Sequence, residues 1–187
     1  FPTGYWLLTT RSVLCLLSSV SRLLYSSPAM CHHAHIVITD SGLGGLAICA
    51  ALERGLRVAR PSSDVRLTYV NAWPFEDRGY NDLQDEAERA RVFDGALARM
   101  SDMQPDRILV ACNTLSILYP QTVFSRNPPM PVHGIVDAGV ELFARRMAEE
   151  PGASIVLRGA KTTIESGVHE ERLERAGVGA GGSAAVS

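Results

Sequence analysis

The segment AHIVITDSGLGG, residues 34–45, decides the fold of this chain. Its first half, Ala34–Thr39, is a short apolar and β-branched run, which is typical of a buried strand. The glycines that follow predict a tight turn, and the apolar residues Leu46–Leu52 predict a helix that ends in Glu53 and Arg54. A strand, a glycine turn and a helix in immediate succession form the opening unit of an α/β fold.

The same alternation continues along the chain. The clearest helix is predicted at Leu83–Met103, where apolar side chains recur at three- and four-residue steps, namely Ala87, Ala90, Phe93, Leu97 and Met100. Further strands are predicted at Val65–Val70, Arg107–Ala111, Pro131–Val136 and Ser154–Leu157, and further helices after Cys112, from a cap at Asp137 to Glu150, and at Ile164–Ala176. This order predicts a doubly wound parallel α/β sheet, a three-layer flavodoxin- or Rossmann-like architecture that binds ligands at the carboxyl ends of its strands.

Composition argues against several classes of function. A formal net charge of −2 on 187 residues gives no field directed at nucleic acid or at an anionic membrane, so neither is expected as a partner. The single lysine, Lys161, argues against pyridoxal phosphate chemistry, which needs a Schiff-base lysine. The four cysteines lack the paired spacing of a zinc site or a disulfide scaffold, so a reduced, cytoplasmic setting is expected.

We predict three parts in the chain. Residues 1–33 form an extension that we expect to be disordered, either transit-like or non-coding read-through, and organellar targeting by residues 1–29 stays open. Arg11 and Arg22 interrupt its apolar stretch, so no membrane span is predicted there. Residues 34–140 form the first α/β domain, and residues 141–187 are expected to begin a second, similar domain that is truncated and ends in a Gly/Ala-rich tail.

The glycine motif after the first strand has two alternative interpretations. Gly42, Gly44 and Ala47 fit the pattern G-x-G-x-x-A of dinucleotide sites. The second strand, however, ends in Asn71 without the acidic residue that such sites use, and Asp40 at the strand tip would repel a pyrophosphate. A tight turn that lets the helix pack closely against the strand is the simpler interpretation.

A cysteine follows the third predicted strand in the sequence ACNT, residues 111–114. Cys112 would lie beside the positive end of a helix dipole, which predicts a lowered thiol pKa. Asn113 and Thr114 would add an amide and a hydroxyl near free helix N–H groups, which is a suitable cradle for a carboxylate. The alternative is an inert, buried cysteine at the start of a helix.

Two weaker signals remain. Residues 159–163, GAKTT, follow a predicted strand and precede a helix, so their hydroxyls either hold a small anion or cap the helix, and capping is favoured. His32, His33 and His35 suggest a metal tract, but no acidic pattern completes a site, and no metal is predicted.

The motifs D-S-G-x-G-G at residue 40, A-C-N-T at residue 111 and G-x-K-x-T at residue 159 together resemble the aspartate/glutamate racemase family, and the first of them resembles glutamate racemases more than aspartate racemases. The resemblance covers residues 34–176. It implies a cofactor-independent racemisation of glutamate or aspartate by two thiols, in a cleft between two similar α/β domains. If the product is D-glutamate, a role in the supply of peptidoglycan precursors follows from this resemblance alone.

The resemblance also implies roles for single residues. Cys112 matches the first catalytic cysteine, and Asp40 and Ser41 match residues that bind the ammonium group and assist proton transfer. The remaining matches are expected to contact the substrate: Asn113 and Thr114 at its carboxylate, Thr163 from the second domain and, as a looser match, Tyr80 and Asn81.

Departures from the family pattern affect the expected activity. Ala160 replaces a usual threonine, and Asn71 stands where an aspartate is common. A second catalytic cysteine in a Cys-Thr context is absent, since none of Cys15, Cys31 and Cys49 is predicted at a strand tip. Racemisation needs one acid and one base on opposite faces of the α-carbon. We therefore expect an incomplete chain that is inactive alone.

Two other classes of function stay open. One is an inactive module that keeps the cradle for an amino-acid carboxylate. The other is a cysteine hydrolase or transferase with Cys112 as the nucleophile, for which His133 is the only plausible base. A homodimer is also left open.

Overall fold

The structure, a computed structural model, describes residues 33–59, 64–73, 79–150 and 161–178. Its centre is a four-stranded parallel sheet in the order β2-β1-β3-β4. The strands are β1 (His33–Asp40), β2 (Asp64–Asn71), β3 (Arg107–Val110) and β4 (Val132–Gly134). The register aligns Asp40 with Asn71 and Thr39 with Val110, so the carboxyl ends of β1, β2 and β3 lie side by side.

The described part of the chain contains six helices. They are α1 (Gly45–Ala59), α2 (Glu86–Ser101), α3 (Asn113–Leu118), α4 (Ile135–Glu149), α5 (Lys161–Glu165) and α6 (Val168–Arg175). Short 3-10 turns lie at Tyr80–Asp82, Tyr119–Gln121 and Phe124–Arg126. Among the described helices, none is both long and apolar enough to cross a membrane.

The two faces of the sheet carry separate cores because side chains alternate along a strand. Ile36 and Ile38 point to one face and pack with Leu52 of α1. Val37, between them, points to the other face and packs with Phe93 and other residues of α2 and α3. Burying a side chain of this size stabilises the fold by about 1.5–3 kcal/mol. Helices on both faces confirm the predicted doubly wound, three-layer α/β architecture.

The predicted apolar stripe of α2 is largely confirmed. Ala90, Phe93, Leu97 and Met100 are buried, whereas Ala87 in the first turn is exposed. The helix begins later than predicted, at Glu86, because the side chain of Asp85 accepts a hydrogen bond from the backbone N–H of Glu88 and caps it.

Several predicted boundaries were wrong. Helix α1 runs on to Ala59 instead of ending at Arg54, with an i,i+4 ion pair between Glu53 and Arg57 in its exposed last turns. Strand β3 ends one residue early, at Val110, and β4 is shorter than the predicted Pro131–Val136.

The two C-terminal helix predictions also need correction. Gly134, not Asp137, is at the N-cap of α4, and Asp137 lies in the first turn, where it forms an ion pair with Arg172 of α6. The single helix predicted at Ile164–Ala176 is two helices, because Gly167 adopts a left-handed conformation with φ 62°.

Some predictions fall outside the described residues. The strand at Ser154–Leu157, the extension before residue 33 and the tail after residue 178 are among them. The division into two domains therefore stays a prediction. Within the described part, α6 packs on α4 through a small cluster that contains Leu173, Val136 and Val140.

Candidate active site

Two turns meet at the carboxyl ends of β1 and β3. We call residues 40–45 the glycine turn and residues 111–114 the cysteine turn. The backbone N–H of Ala111 donates to the carbonyl of Thr39 at 2.7 Å, so the register of the two strands continues past the end of β3. This contact places Ser41 opposite Cys112, with 3.3 Å between Ser41 Oγ and Cys112 Sγ.

Cys112 occupies the N-cap position of α3 in extended backbone, with 9% of its surface exposed. Its side chain belongs to the core cluster that contains Tyr80, Leu83 and Leu115. The thiol therefore combines a nearly closed apolar surrounding with one polar neighbour, the Ser41 hydroxyl.

The predicted lowering of the Cys112 pKa was wrong. Burial raises the pKa of this thiol above its ordinary value, because a thiolate loses hydration there. Hydrogen bonds from the Ser41 hydroxyl and the Leu115 backbone N–H act in the opposite direction, and the charge of Asp40 raises the pKa further. The start of α3 does supply one N–H to the thiol, as expected, but the effect of burial on the pKa is larger.

Asp40 holds the glycine turn together from the inside. Its Oδ1 accepts the backbone N–H of Ser41 at 2.7 Å, and its Oδ2 accepts that of Gly45 at 2.6 Å. The residue is 7% exposed. A Cβ on Gly45 would come within 2.8 Å of Asp40 Cβ, so glycine is required there for a close approach of backbone to carboxylate. The tight-turn interpretation of the glycines thus agrees with the geometry.

Ser116 supports the cysteine turn from behind. Its Oγ lies 2.7 Å from the carbonyl of Cys112, to which it donates, and accepts the backbone N–H of Ile135 at 3.1 Å. A Cβ on Gly134 would meet Ser116 Cβ and Oγ at 2.9 Å. Ser116 was not identified from the sequence. The one available signal was its position one helical turn after Cys112.

Thr163 approaches the cysteine turn from the C-terminal segment. Its Oγ1 lies 3.1 Å from Thr114 Oγ1, and the residue is 5% exposed. The predicted site residues Thr114 and Thr163 are thus brought together directly. Asn113, beside them at the start of α3, is exposed.

Tyr80 and Asn81 lie in the 3-10 turn Tyr80–Asp82. Tyr80 is buried in the same cluster as Cys112, and its hydroxyl donates to the carbonyl of Ala72 at 3.1 Å. Burial, and then the nearby Cys112, raise the pKa of Tyr80, so its hydroxyl stays protonated. The ring of Tyr80 therefore forms part of the wall around the thiol, with its polar end held by the backbone.

His133 and Cys49 lie away from the Cys112 thiol. His133 pairs in register with Leu109, which packs in the cluster on the α1 face, and Cys49 of α1 borders that same cluster. Cys112 packs in the cluster on the opposite face. The geometry does not support the hydrolase alternative, which needs His133 beside the thiol.

The histidine tract at the start of β1 forms ordinary pairs. His33 lies 3.5 Å from an exposed carboxylate oxygen of Asp64, and His35 Nε2 lies 2.9 Å from Thr68 Oγ1. Across the described residues, no group of three or more His, Cys, Asp or Glu side chains could hold a metal ion.

Fold and site together define a class of protein: a parallel α/β domain with a buried thiol between two strand-tip turns. Comparison with known proteins shows which proteins of this class the chain is similar to. The chain is 32% identical over 143 residues to a glutamate racemase of Aquifex aeolicus, a match that covers 76% of the chain and 51% of the relative. A glutamate racemase of Campylobacter jejuni is 26% identical over 151 residues, covering 74% and 51%. No protein-family model matches the chain.

Solved structures agree with these relatives. A glutamate racemase from Campylobacter jejuni superposes with a TM-score of 0.61 at 25% identity, covering 81% of this chain and 56% of that one. One from Aquifex pyrophilus gives a TM-score of 0.58 at 22% identity and 54% coverage, which supports the fold. The resemblance to glutamate racemases is confirmed. The chain spans about half the length of the curated relatives it matches.

Proposed function

We propose that Cys112 is one of two acid–base groups of a cofactor-independent racemase that acts on glutamate or aspartate. The observation that supports this most directly is the buried Cys112 thiol at the carboxyl ends of two parallel strands, 3.3 Å from the Ser41 hydroxyl. Sites in this fold class form at such strand ends, and a thiol there can move a proton.

The proton transfer proceeds in two halves. In one direction the Cys112 thiolate takes the α-proton, which leaves a carbanion stabilised by the substrate carboxylate and its hydrogen-bond donors. An acid on the opposite face then returns a proton, and the reverse reaction exchanges these roles. Because burial raises the pKa of Cys112, the resting side chain is a thiol and is ready to act as the acid.

The neighbouring polar residues bind the two charged ends of the substrate in this proposal. Asn113, which is exposed, binds the carboxylate together with the hydroxyls of Thr114 and Thr163, whose separation of 3.1 Å supports a joint role. Asp40 and Ser41 bind the ammonium group, and the resemblance implies further substrate contacts for Tyr80 and Asn81. Both carboxylate oxygens of Asp40 already accept a backbone N–H, so an ammonium group would share them.

No described cysteine other than Cys112 lies where it could act as the second acid–base group. In the described part of the chain the other cysteine is Cys49, which borders the cluster on the far face of the sheet. We propose that the 187-residue polypeptide binds the amino acid and does not racemise it. An inactive amino-acid-binding module is the second candidate function, and the position of Cys49 away from the Cys112 thiol favours it.

Binding and proton exchange separate the two candidates. Calorimetry with L- and D-glutamate and aspartate measures binding, and NMR in heavy water follows replacement of the α-proton by deuterium. Exchange that is lost in Cys112→Ala and kept in the matched control Cys49→Ala supports the acid–base role of Cys112. Binding without exchange supports the binding module. Absence of binding to either amino acid contradicts both proposals.

A further inference from the structure

Tyr69 contacts the glycine turn from β2, although no motif includes it. Its hydroxyl donates to the carbonyl of Gly42 at 2.5 Å. Its ring lies against the opposite end of the same turn, where a Cβ on Gly45 would come within 3.1 Å of Tyr69 Cε2. One half-buried side chain therefore contacts the turn by a hydrogen bond and by packing.

The outer part of the glycine turn has few other supports among the described residues. Asp40 binds the two ends of the turn, at Ser41 and Gly45, whereas a Cβ on Gly42 would meet nothing within 4 Å. Leu43, the next residue, is 70% exposed. The carbonyl of Gly42 follows Ser41 directly, so a hydrogen bond at that carbonyl limits how far Ser41 can rotate away from Cys112.

We propose that Tyr69 is a positioning residue, whose hydrogen bond to Gly42 holds the Ser41 hydroxyl against the Cys112 thiol and so favours the thiolate. The contacts run in sequence from Tyr69 Oη to the Gly42 carbonyl, and from Ser41 Oγ to Cys112 Sγ over 3.3 Å. A hydroxyl aimed at the sulfur stabilises its charged form.

The electrostatics of Tyr69 suit this role. Burial raises its pKa, and the charges of Asp40 and Cys112 raise it further. Both effects favour the protonated phenol, which is the form that donates to the Gly42 carbonyl. Deprotonation of Tyr69 would place a third negative charge near Asp40 and the thiolate, and the site disfavours it.

The test measures the thiol without any substrate, so its outcome is independent of the proposed racemase function. The rate at which iodoacetamide alkylates Cys112 in the full 187-residue chain is followed against pH by mass spectrometry of the Cys112 peptide. A hydrogen bond to a charged group contributes about 1.5–3 kcal/mol, so Ser41→Ala is expected to slow alkylation at pH 8 by roughly tenfold or more. Tyr69→Phe is expected to slow it about three- to tenfold by the same mechanism.

The double variant distinguishes positioning from a general loosening of the fold. If Tyr69 acts through Ser41, Ser41→Ala/Tyr69→Phe slows alkylation no more than Ser41→Ala alone. Tyr119→Phe, which removes a hydroxyl from a half-buried tyrosine packed against the same cluster as Cys112, is the control for general loosening and should keep the wild-type profile. If Tyr69→Phe is not folded by circular dichroism, Tyr69→Leu replaces it in the same measurement.

Three outcomes would overturn the proposal. A wild-type profile for Tyr69→Phe would show that the hydrogen bond does not position Ser41. Effects that add in the double variant would show that Tyr69 acts by another route. A wild-type profile for Ser41→Ala would show that the Ser41 hydroxyl does not support the thiolate.

Discussion

The glycine turn and the cysteine turn meet at one site but are stabilised in different ways. The glycine turn is held by polar contacts, from the Asp40 carboxylate inside and the Tyr69 hydroxyl outside, and its tip is open to solvent. The cysteine turn is held mainly by packing, with Leu115 fully buried and Ser116 against Gly134, and Ser116 adds one hydrogen bond to the carbonyl of Cys112. The glycine turn thus supplies the polar neighbours of the Cys112 thiol, and the cysteine turn holds the thiol in its position in the core.

This difference predicts where mutations affect the stability of the fold. Polar contacts fail when an acceptor is removed, and packed contacts fail when volume is added. The first two predictions below test each turn by its own kind of change, and the other two test smaller contributions at and near the cysteine turn.

Removal of the Asp40 carboxylate is expected to have the largest effect. Asp40→Ala leaves the backbone N–H groups of Ser41 and Gly45 without their acceptor in a buried turn, which should lower the free energy of unfolding by about 3 kcal/mol. Urea denaturation measures this loss. Asp137→Ala, at an exposed aspartate with one ion pair, is the control and should lose less than about 1 kcal/mol. Equal losses in the two variants would contradict the role assigned to Asp40.

An added methyl group should damage the cysteine turn. Gly134→Ala places a Cβ 2.9 Å from Ser116 Cβ and Oγ, and overpacking of this kind destabilises a fold by about 1–3 kcal/mol. Gly139→Ala is the matched control, because a Cβ at this site in α4 meets nothing within 4 Å. This variant should gain up to about 1 kcal/mol from helix propensity.

Opposite signs for the two glycine variants, by urea denaturation, would support packing as the basis of the cysteine turn. A neutral Gly134→Ala would show that Ser116 can move aside, and that the two turns differ less than their contacts suggest.

The link between Thr114 and Thr163 should contribute less. These hydroxyls lie 3.1 Å apart, and a hydrogen bond between neutral groups contributes about 0.5–1.5 kcal/mol. The single variants Thr114→Val and Thr163→Val and their double form a mutant cycle, and we expect a coupling energy of this size. Purely additive losses would indicate that the C-terminal segment packs beside the cysteine turn without being joined to it by these hydroxyls.

The sequence predicted the meeting of the two turns because it follows from local pattern. Glycines and polar residues after the predicted strands that end at Thr39 and Ala111 mark strand ends, and parallel strands bring such ends to one edge. Tyr69 and Ser116 could not be predicted in the same way. Their partners, Gly42 and Ile135, are distant in sequence, and the contacts depend on which strands are neighbours.

The Cys112 pKa was predicted in the wrong direction for a related reason. The helix start beside the thiol can be read locally, whereas its burial depends on Tyr80, Leu83 and other residues from separate segments that close over it. The break at Gly167 was also missed, since glycine inside a helical pattern is tolerated as often as it ends a helix.

Acidification should weaken the cysteine turn before the glycine turn. Burial and the charge of Arg107 lower the pKa of His133, which immediately precedes Gly134, and burial likewise lowers the pKa of His169 on α6. A histidine whose pKa is lower in the folded chain binds its proton more readily when unfolded. Its contribution to stability is therefore complete above about pH 6.5, the ordinary histidine value, and is lost as the pH falls below it.

The smallest effect should come from removing this titration. His133→Gln is expected to reduce the loss of stability between about pH 7 and pH 5, over which an unfolded-state histidine takes up its proton, and His169→Gln should reduce it further. Urea midpoints at each pH measure the slope. Amide hydrogen exchange on the wild-type chain adds a local reading, because Ser116 and Ile135 should lose protection on acidification while Ser41 and Gly45 keep theirs. Equal loss at both turns would show that the polar and packed turns open as one unit, and that their different construction does not separate their stabilities.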